Sequence, residues 1–414
     1  MKSVLTALAV FLASCAAFAQ GGDAFDEWGG LYHPYHMASG PKAKGPCGYK
    51  PFYISHIGRH GSRYPVSPGY VGNGLDPLRK ADSLGILTED GKRLKRAFEK
   101  LDSVSTGVYG LICDLGASEQ QGIARRMAAA YPQVFRQKGR DSVACFSTHK
   151  QRAMLSMTNF AAALASSAPK VHIGFVAGEK YYDIMCREEL AAPGLKAGSR
   201  KANKAMAEQF DYAGFMSRLF TDPERARGTC YKNERLMAET CVTNGTVAAY
   251  LGIPELVHFM TEEEFETASK IYNAKQYMQH CGSAEQGEWR MHIMDPLLQD
   301  FIDRADAALA GNRIAADLRF SHDVGLMPFF SLIGLKGYDR RLPFEEVCDY
   351  WNATYMMPMA ANLQLVFYRG PKDDILVRVV FNEADSSIPS LGPGPFYSWK
   401  ELRSYLISLY SCSS

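Results

Sequence analysis

A surplus of charge of either sign is missing from this chain. Its 46 Lys and Arg against 44 Asp and Glu leave a formal net charge of +2 over 414 residues. No global field therefore draws it to nucleic acid or to an anionic membrane, and any anion site has to be local. Long apolar runs are missing after the first twenty residues, so no later segment has the length of about 20 apolar residues that a membrane-spanning helix needs. No C-x-x-C pair occurs among the ten cysteines, whose spacings are long and irregular; a zinc site of the usual ligand spacing is thereby excluded. Internal repeats and low-complexity tracts are also absent, which excludes a solenoid array. What is present is ordinary globular material, 47% hydrophobic and 22% charged, enough for a large core. The length suggests roughly two to three domains.

The first residues read as a targeting segment. Lys2 supplies the positive end, Val4 to Leu12 the short apolar run, and Ala17-Phe18-Ala19 before Gln20 a small-x-small cleavage site. Residues 1–19 are expected to be a signal peptide and the protein to be periplasmic or secreted. A second reading stays open: Leu12-Ala13-Ser14-Cys15 resembles a lipoprotein box, with Cys15 as a lipidated N-terminus. Export permits disulfides, and Cys230 with Cys241 is a local bridge candidate. Removal of Cys15 leaves nine cysteines, so at least one thiol stays unpaired within a monomer, the expected state.

Beyond that, 20–165 reads as the first part of an α/β core: 21–50 is an irregular lead-in, and from 50 to about 165 strand and helix patterns alternate. Pro51 to Gly58 reads as a buried strand and Ser142 to Phe146 as another. Thr88 is a cap candidate before a helix bearing Leu94, Phe98 and Leu101. Ser118-x-x-Gln121 reads as a capping box before a helix that ends at Tyr131-Pro132. Segment 166–292 is Met-, Tyr- and Lys/Glu-rich and helix-like, and reads as an inserted domain. From 293 to 414 the αβ character returns. Asp295-Pro296 opens a helix stopped by Gly311, Ile314 to Phe320 is a strand, Ala361–Tyr368 and Ile375–Phe381 form a hairpin, and Ser398-x-x-Glu401 caps a last helix.

Chemistry concentrates in Arg59-His60-Gly61-Ser62-Arg63-Tyr64-Pro65, directly after the first strand. Arginine offers planar, permanently charged donor forks that match phosphate oxygens, and a neutral imidazole is a nucleophile near physiological pH. Gly61 permits backbone geometry that a side chain would block. Two further segments follow strands: Thr148-His149-Lys150-Gln151-Arg152, and His322-Asp323. The ends of strands are where open α/β sheets place ligands. Bland readings are kept for the rest. Thr148 reads as a helix cap, His149 and Lys150 as solvent-facing, His56 as a packed core residue, and His33-Pro34-Tyr35-His36 as surface rather than a metal pair. Arg200, Lys201 and Lys204 read as a solvated helix face.

Together these segments resemble the histidine acid phosphatases, the branch of the histidine phosphatase superfamily that contains phytases. That family carries Arg-His-Gly-x-Arg-x-Pro early and His-Asp late, as Arg59–Pro65 and His322-Asp323 stand here. Leu115–Pro132 is similar to its Gly-rich turn and helix, and Arg152 to its mid-chain phosphate arginine. Ala361–Tyr368, Val377–Glu383 and Gly392–Leu402 look like the multiple inositol polyphosphate phosphatase subgroup. That subgroup typically has His-Ala-Glu where this chain has His322-Asp323-Val324.

The resemblance implies an α/β/α sandwich core with an inserted, mostly α-helical domain. His60 would be the nucleophile and Asp323 the proton donor, with Arg59, Arg63, Arg152 and His322 binding substrate phosphate. It implies no metal and no cofactor, and a small phosphate ester as substrate, phytate or another inositol polyphosphate. A broad acid or sugar-phosphate phosphatase and a non-catalytic phosphate-binding protein on the same fold remain as alternatives.

Overall fold

The apolar run ahead of the Arg-His-Gly loop forms the strand its pattern predicts, extended to Lys50–Arg59 and buried on both faces from Phe52 onward. The structure, a computed structural model, describes residues 24–37, 45–186, 192–285 and 289–410. The expected signal segment 1–19, with Cys15, lies outside the described residues. In chain order the elements that matter are β1 (Lys50–Arg59), α1 (Pro68–Ser83), α2 (Glu89–Ser105), α3 (Asp114–Ala130), β2 (Ser142–Ser147), α4 (Gln151–Ser167), β3 (His172–Ala177) and α5 (Glu179–Met185). They continue with α6 (Glu234–Tyr250), α7 (Glu262–His280), α8 (Asp295–Leu309), β4 (Ile314–Ser321), α9 (Asp323–Leu332), β5 (Asn362–Arg369), β6 (Ile375–Phe381), β7 (Ala384–Asp385), β8 (Phe396–Ser398) and α10 (Trp399–Ser408).

Two compact units result. One consists of Pro34–Ser62, Leu111–Arg200 and Ala274–Ser414 and carries the eight strands found among the described residues. The other consists of the chain up to His33, Arg63–Gly110 and Lys201–Asn273, and is built on helices. The make-up differs from the expected split at 165/166 and 292/293. Segment 63–110 groups with 201–273, and 166–200 groups with the sheet. Local packing explains the first difference. Gly74 of α1 leaves room for the Phe98 ring of α2, which a Cβ would meet at 2.5 Å. Thr88 caps α2, accepting from Gly91 N at 2.9 Å, and its own N–H donates to the Leu219 carbonyl. The second follows from β3, which pairs in parallel with β2 and so extends the sheet.

The sheet runs β3-β2-β4-β1-β5-β6-β7, with β8 also paired to β6. β1, β2, β3 and β4 are mutually parallel; β5 and β6 form the predicted antiparallel hairpin. Register aligns the strand ends: Arg59 of β1 pairs with Ser321 of β4, and Ser147 of β2 with Phe320. The loops opening with His60, Thr148 and His322 therefore leave one edge of the sheet side by side, the position where parallel sheets hold ligands. Beneath them Ile54, Val143, Phe160, Leu164, Leu318, Phe320 and Val366 form the core. His56 sits there between the rings of Phe160 and Phe320, at 5.4 and 5.5 Å. Burial and Arg319 push its pKa down to about 3, so it is a neutral packing residue.

The other notable sheet contact is ionic. Arg319 of β4 is buried and binds Asp300 of α8 at 2.6 Å and Ser55 Oγ at 3.0 Å, while Arg304 reaches Asp317, which accepts from Tyr53 Oη at 2.7 Å. Such a network fixes how α8 seats on the sheet, because an unpaired charge there is costly.

Two expectations are corrected. The helix read from a Ser118 capping box begins earlier, at Asp114, with Cys113 as its N-cap. Cys113 N donates to the Ser62 carbonyl at 3.0 Å, a tertiary tie that draws the helix start back toward the Arg-His-Gly loop. Cys230 and Cys241 form no bridge, and all eight described cysteines are free thiols. Cys241 is wholly buried among the side chains around α6, whereas Cys230 lies partly exposed in the preceding turn. The Ser398 cap stands as read: its Oγ accepts from Glu401 N at 3.1 Å.

Candidate active site

Backbone bonds place the Arg59–Pro65 loop before any side chain acts. His60 N donates to the Ser321 carbonyl at 3.0 Å, Ala360 N donates to the His60 carbonyl at 2.9 Å, and Arg59 N donates to that of Ala361 at 2.8 Å. Gln120 Nε2 holds the Arg59 carbonyl at 2.9 Å. Gly61 matters for proximity rather than for a left-handed turn: a Cβ there would stand 2.4 Å from the Gly116 carbonyl oxygen. Gly116 answers it, since its own Cβ would lie 2.0 Å from the Ser62 carbonyl oxygen. Two glycines thus let α3 pack backbone to backbone against the loop.

Below this contact lies a residue the sequence did not single out. Glu119 is buried and accepts from Ser62 N (2.7 Å), Ser62 Oγ (2.7 Å) and Tyr35 N (2.8 Å). Burial raises its pKa against the lowering effect of those donors and of Arg59. Tyr35 continues the chain of contacts to Glu383 at 2.9 Å, and Arg126 grips Glu383 with two nitrogens. The segment read as plain surface is thus anchored at Tyr35, and His36 is half-buried with its ring 5.4 Å from that of Tyr355. Among the described residues no group of three or more His, Cys, Asp or Glu side chains is placed to hold a metal.

Apart from Arg63, the site side chains named from sequence lie in the sheet-bearing unit. His60 Nδ1 lies 3.0 Å from the Gly61 carbonyl, which accepts its proton and leaves the lone pair on Nε2. The His322 ring centre is 5.4 Å from that of His60. His322 Nε2 meets Thr148 Oγ1 at 2.9 Å, and its Nδ1 is buried without a hydrogen-bond partner. Burial and Arg152 hold the His322 pKa well below the ordinary value; Asp323 opposes, and Arg59 and Lys150 add to the lowering. The hydroxyl and the ring nitrogen can pair in either direction; where Thr148 donates to Nε2, the neutral imidazole carries its proton on Nδ1. Arg59 is fully buried, with Nη1 on the Met357 carbonyl at 2.8 Å and Nη2 on Asp323 Oδ2 at 2.5 Å. Asp323 Oδ1 accepts from Val324 N at 2.9 Å, at the start of α9. Arg152 lies in the first turn of α4, where its carbonyl accepts from Ser156 Oγ, which in turn accepts from Gly61 N.

Arg63 falls in the helical unit, where it is buried. Its N–H meets Tyr250 Oη, and its guanidinium binds the Tyr64 carbonyl and lies 5.5 Å from the centre of the Tyr32 ring.

Other readings shift. Thr148 is a partner of His322 rather than a cap; the α4 N-cap position belongs to Lys150. His149 and Lys150 are partly buried and both rest on Tyr182, at 5.0 and 5.3 Å. Lys204 is exposed and 3.8 Å from Glu208, a solvated face as read. Sequence reasoning also passed over Arg290, fully buried, which meets His280 Nδ1 at 3.1 Å and the Val324 carbonyl at 3.3 Å. A single arginine after an irregular segment gives no signal of burial. Burial and Arg290 lower the His280 pKa to about 3, against Asp323.

An arginine on a carboxyl, two imidazoles ring to ring and a helix start stand together at one sheet edge, an arrangement whose donors can hold an anion. The family model for the histidine phosphatase superfamily (branch 2) matches residues 232–382, which include His322 and Asp323.

Solved structures share the fold across nearly the whole chain. The multiple inositol polyphosphate phosphatase of Bifidobacterium longum, in complex with inositol hexasulfate, is 19% identical with a TM-score of 0.79, over 92% of this chain and 97% of that one. The phytase from D. castellii is 16% identical with a TM-score of 0.67, over 94% and 86%. The phytase from Citrobacter braakii is 12% identical with a TM-score of 0.54, over 87% and 98%. These relatives are phosphatases and phytases. No curated protein matches the chain.

Proposed function

We propose that this protein is a phosphomonoesterase that acts on inositol polyphosphates, phytate among them, through a phosphohistidine on His60. The observation that carries the reading is the His60 ring, its Nδ1 turned to its own loop carbonyl and its centre 5.4 Å from His322, beside the Arg59–Asp323 pair. A phosphate monoester dianion repels nucleophiles until its charge is spread. Arg59, Arg63 and Arg152, with the His322 Nδ1 proton, would bind the non-bridging oxygens and stabilise them as the ester bond breaks. His60 Nε2 attacks phosphorus, the bond to the ester oxygen breaks, and the Asp323 carboxyl gives its proton to the departing alkoxide. Water then attacks the phosphohistidine, Asp323 takes the proton, the phosphorus–nitrogen bond breaks and inorganic phosphate leaves.

Arg59 has a second part in this scheme. Before substrate binds, its guanidinium Nη2 pairs with Asp323 Oδ2 at 2.5 Å. A phosphate that engages Arg59 competes for that cation and makes the protonated acid easier to reach. Acidic pH favours the same form, so the optimum is placed on the acid side. The arginines supply the positive charge that metal ions supply elsewhere, so the scheme calls on no cofactor. The inositol hexasulfate complex of the B. longum enzyme supports the substrate class. The protein is proposed to act after export, as a monomer, with residues 1–19 as signal. One observation favours a second reading, a broader acid or sugar-phosphate phosphatase: the late motif is His322-Asp323-Val324 rather than His-Ala-Glu.

Phosphate release from phytate and from a simple aryl phosphate, measured from acid to neutral pH with chelator present and His60→Ala as control, tests this. Release from phytate that the variant lacks supports the reading. Release from the aryl ester alone moves the substrate to smaller monoesters, and release from neither by folded protein overturns the reading.

A further inference from the structure

We propose that Lys150, resting on Tyr182 beside His149, forms a subsite for a second phosphate carried by the leaving group, so that polyphosphorylated esters are selected over simple ones. The inference rests on the hydrolytic reading above and adds the part of the site that chooses the substrate.

Lys150 stands at the N-cap position of α4, two residues before Arg152. Its ammonium lies 5.3 Å from the centre of the Tyr182 ring. The same ring is 5.0 Å from that of His149 and 6.4 Å from that of His322. One tyrosine of α5 therefore links the ammonium to the imidazole assigned to the scissile phosphate. Among the described residues no carboxylate pairs with Lys150; the aromatic face is its support. A cation–π contact is weaker than a charge-assisted bond to phosphate, so an arriving anion displaces it readily. His149 adds a buried Nδ1 that has no hydrogen-bond partner. The charge of Lys150 also reaches His322, where it adds to the forces that keep that ring neutral. The scissile group already has three arginines and an imidazole assigned to it. Another unpaired cation next to them suits a second anion on the same molecule better than a single monoester.

Steady-state kinetics of the full protein test this, with phytate and a simple aryl phosphate as probes and with Lys150→Met and Lys150→Arg as variants. Loss of one charge-assisted contact should raise the phytate KM about tenfold in Lys150→Met with kcat little altered. The aryl phosphate KM should move far less, and Lys150→Arg should recover most of the phytate affinity. Equal loss on both substrates, an unaltered phytate KM, or a wild-type protein that accepts the aryl ester but not phytate would each overturn the subsite. Wild-type protein that is folded and releases phosphate from neither substrate would instead overturn the hydrolytic reading beneath it.

Discussion

Gly116→Ala should disable this site from a distance, and the structure gives the size of the effect. The added Cβ would lie 2.0 Å from the Ser62 carbonyl oxygen and 2.7 Å from Ser62 N, where real contacts stay at or beyond 3.0 Å. Neither obstacle is a flexible side-chain end, so α3 and the Arg59–Pro65 loop have to part by about 1 Å. That displacement pulls on Ser62, two residues from His60, and on the Cys113 N–H bond to the same carbonyl. Overpacking of this kind costs about 1–3 kcal/mol of stability, and a misplacement of about 1 Å at reacting groups costs about 100-fold in rate. Phosphate release under saturating substrate, beside a thermal melt, reads both. Gly122→Ala on the same helix is the control: its Cβ would meet no backbone, only the Arg126 side chain, whose Nη1 lies at 2.9 Å and can give while Nε and Nη2 keep Glu383, and alanine favours the helix by about 1 kcal/mol. A Gly116→Ala protein with wild-type turnover would refute the reasoning. So would equal loss in both variants.

Three more outcomes are expected. Glu119→Gln places an amide NH2 where three donors converge; denaturant titration should show a loss of about 1.5–3 kcal/mol, and unaltered stability would remove Glu119 as the loop's anchor. Thr148→Val releases the His322 tautomer and should lower kcat/KM about tenfold, the worth of one hydrogen bond, with Thr148→Ser restoring it; equal loss in both would point to packing instead. Asp300→Asn breaks the pair with buried Arg319 and should cost about 3–5 kcal/mol at neutral pH. Burial pushes the Asp300 pKa up, but Arg319 and Arg304 outweigh it, so the folded value lies below the unfolded one. The contribution is therefore complete above about pH 4 and fades as pH falls through the folded value. Urea midpoints of the two proteins should converge in acid, and a constant gap would contradict the pair's role.

The parts of the fold that sequence made legible are those set by local pattern. The β1 run, the β5–β6 hairpin, the Thr88 and Ser398 caps and the αβ order all follow from periodicity and capping chemistry within a few residues. What stayed hidden depends on distant contacts. Glu119 reads as a solvated helix position until Ser62 and Tyr35 are brought to it. The start of α3 is set by Ser62, not by its own first turn, which is why the Ser118 signal misled. Segment 63–110 has an ordinary αβ pattern, and only its packing shows that it groups with 201–273. At the site, His60, His322, Asp323, Arg59 and Arg152 were legible because an unusual residue combination follows strand ends. Tyr182 and Arg290 were not, since a lone aromatic or arginine in a mixed helical stretch has a bland reading by default.

The central claim is a covalent bond to His60, and rapid-quench trapping tests it most directly. Enzyme mixed with substrate at acidic pH and quenched in alkali should carry one phosphate, stable to alkali and labile to acid, on the peptide that contains Arg59–Arg63. Because Nδ1 is committed to the Gly61 carbonyl, the phosphate is expected on Nε2. Turnover with no phosphoenzyme under conditions that resolve a burst would contradict the account, as would a phosphate found on any other residue.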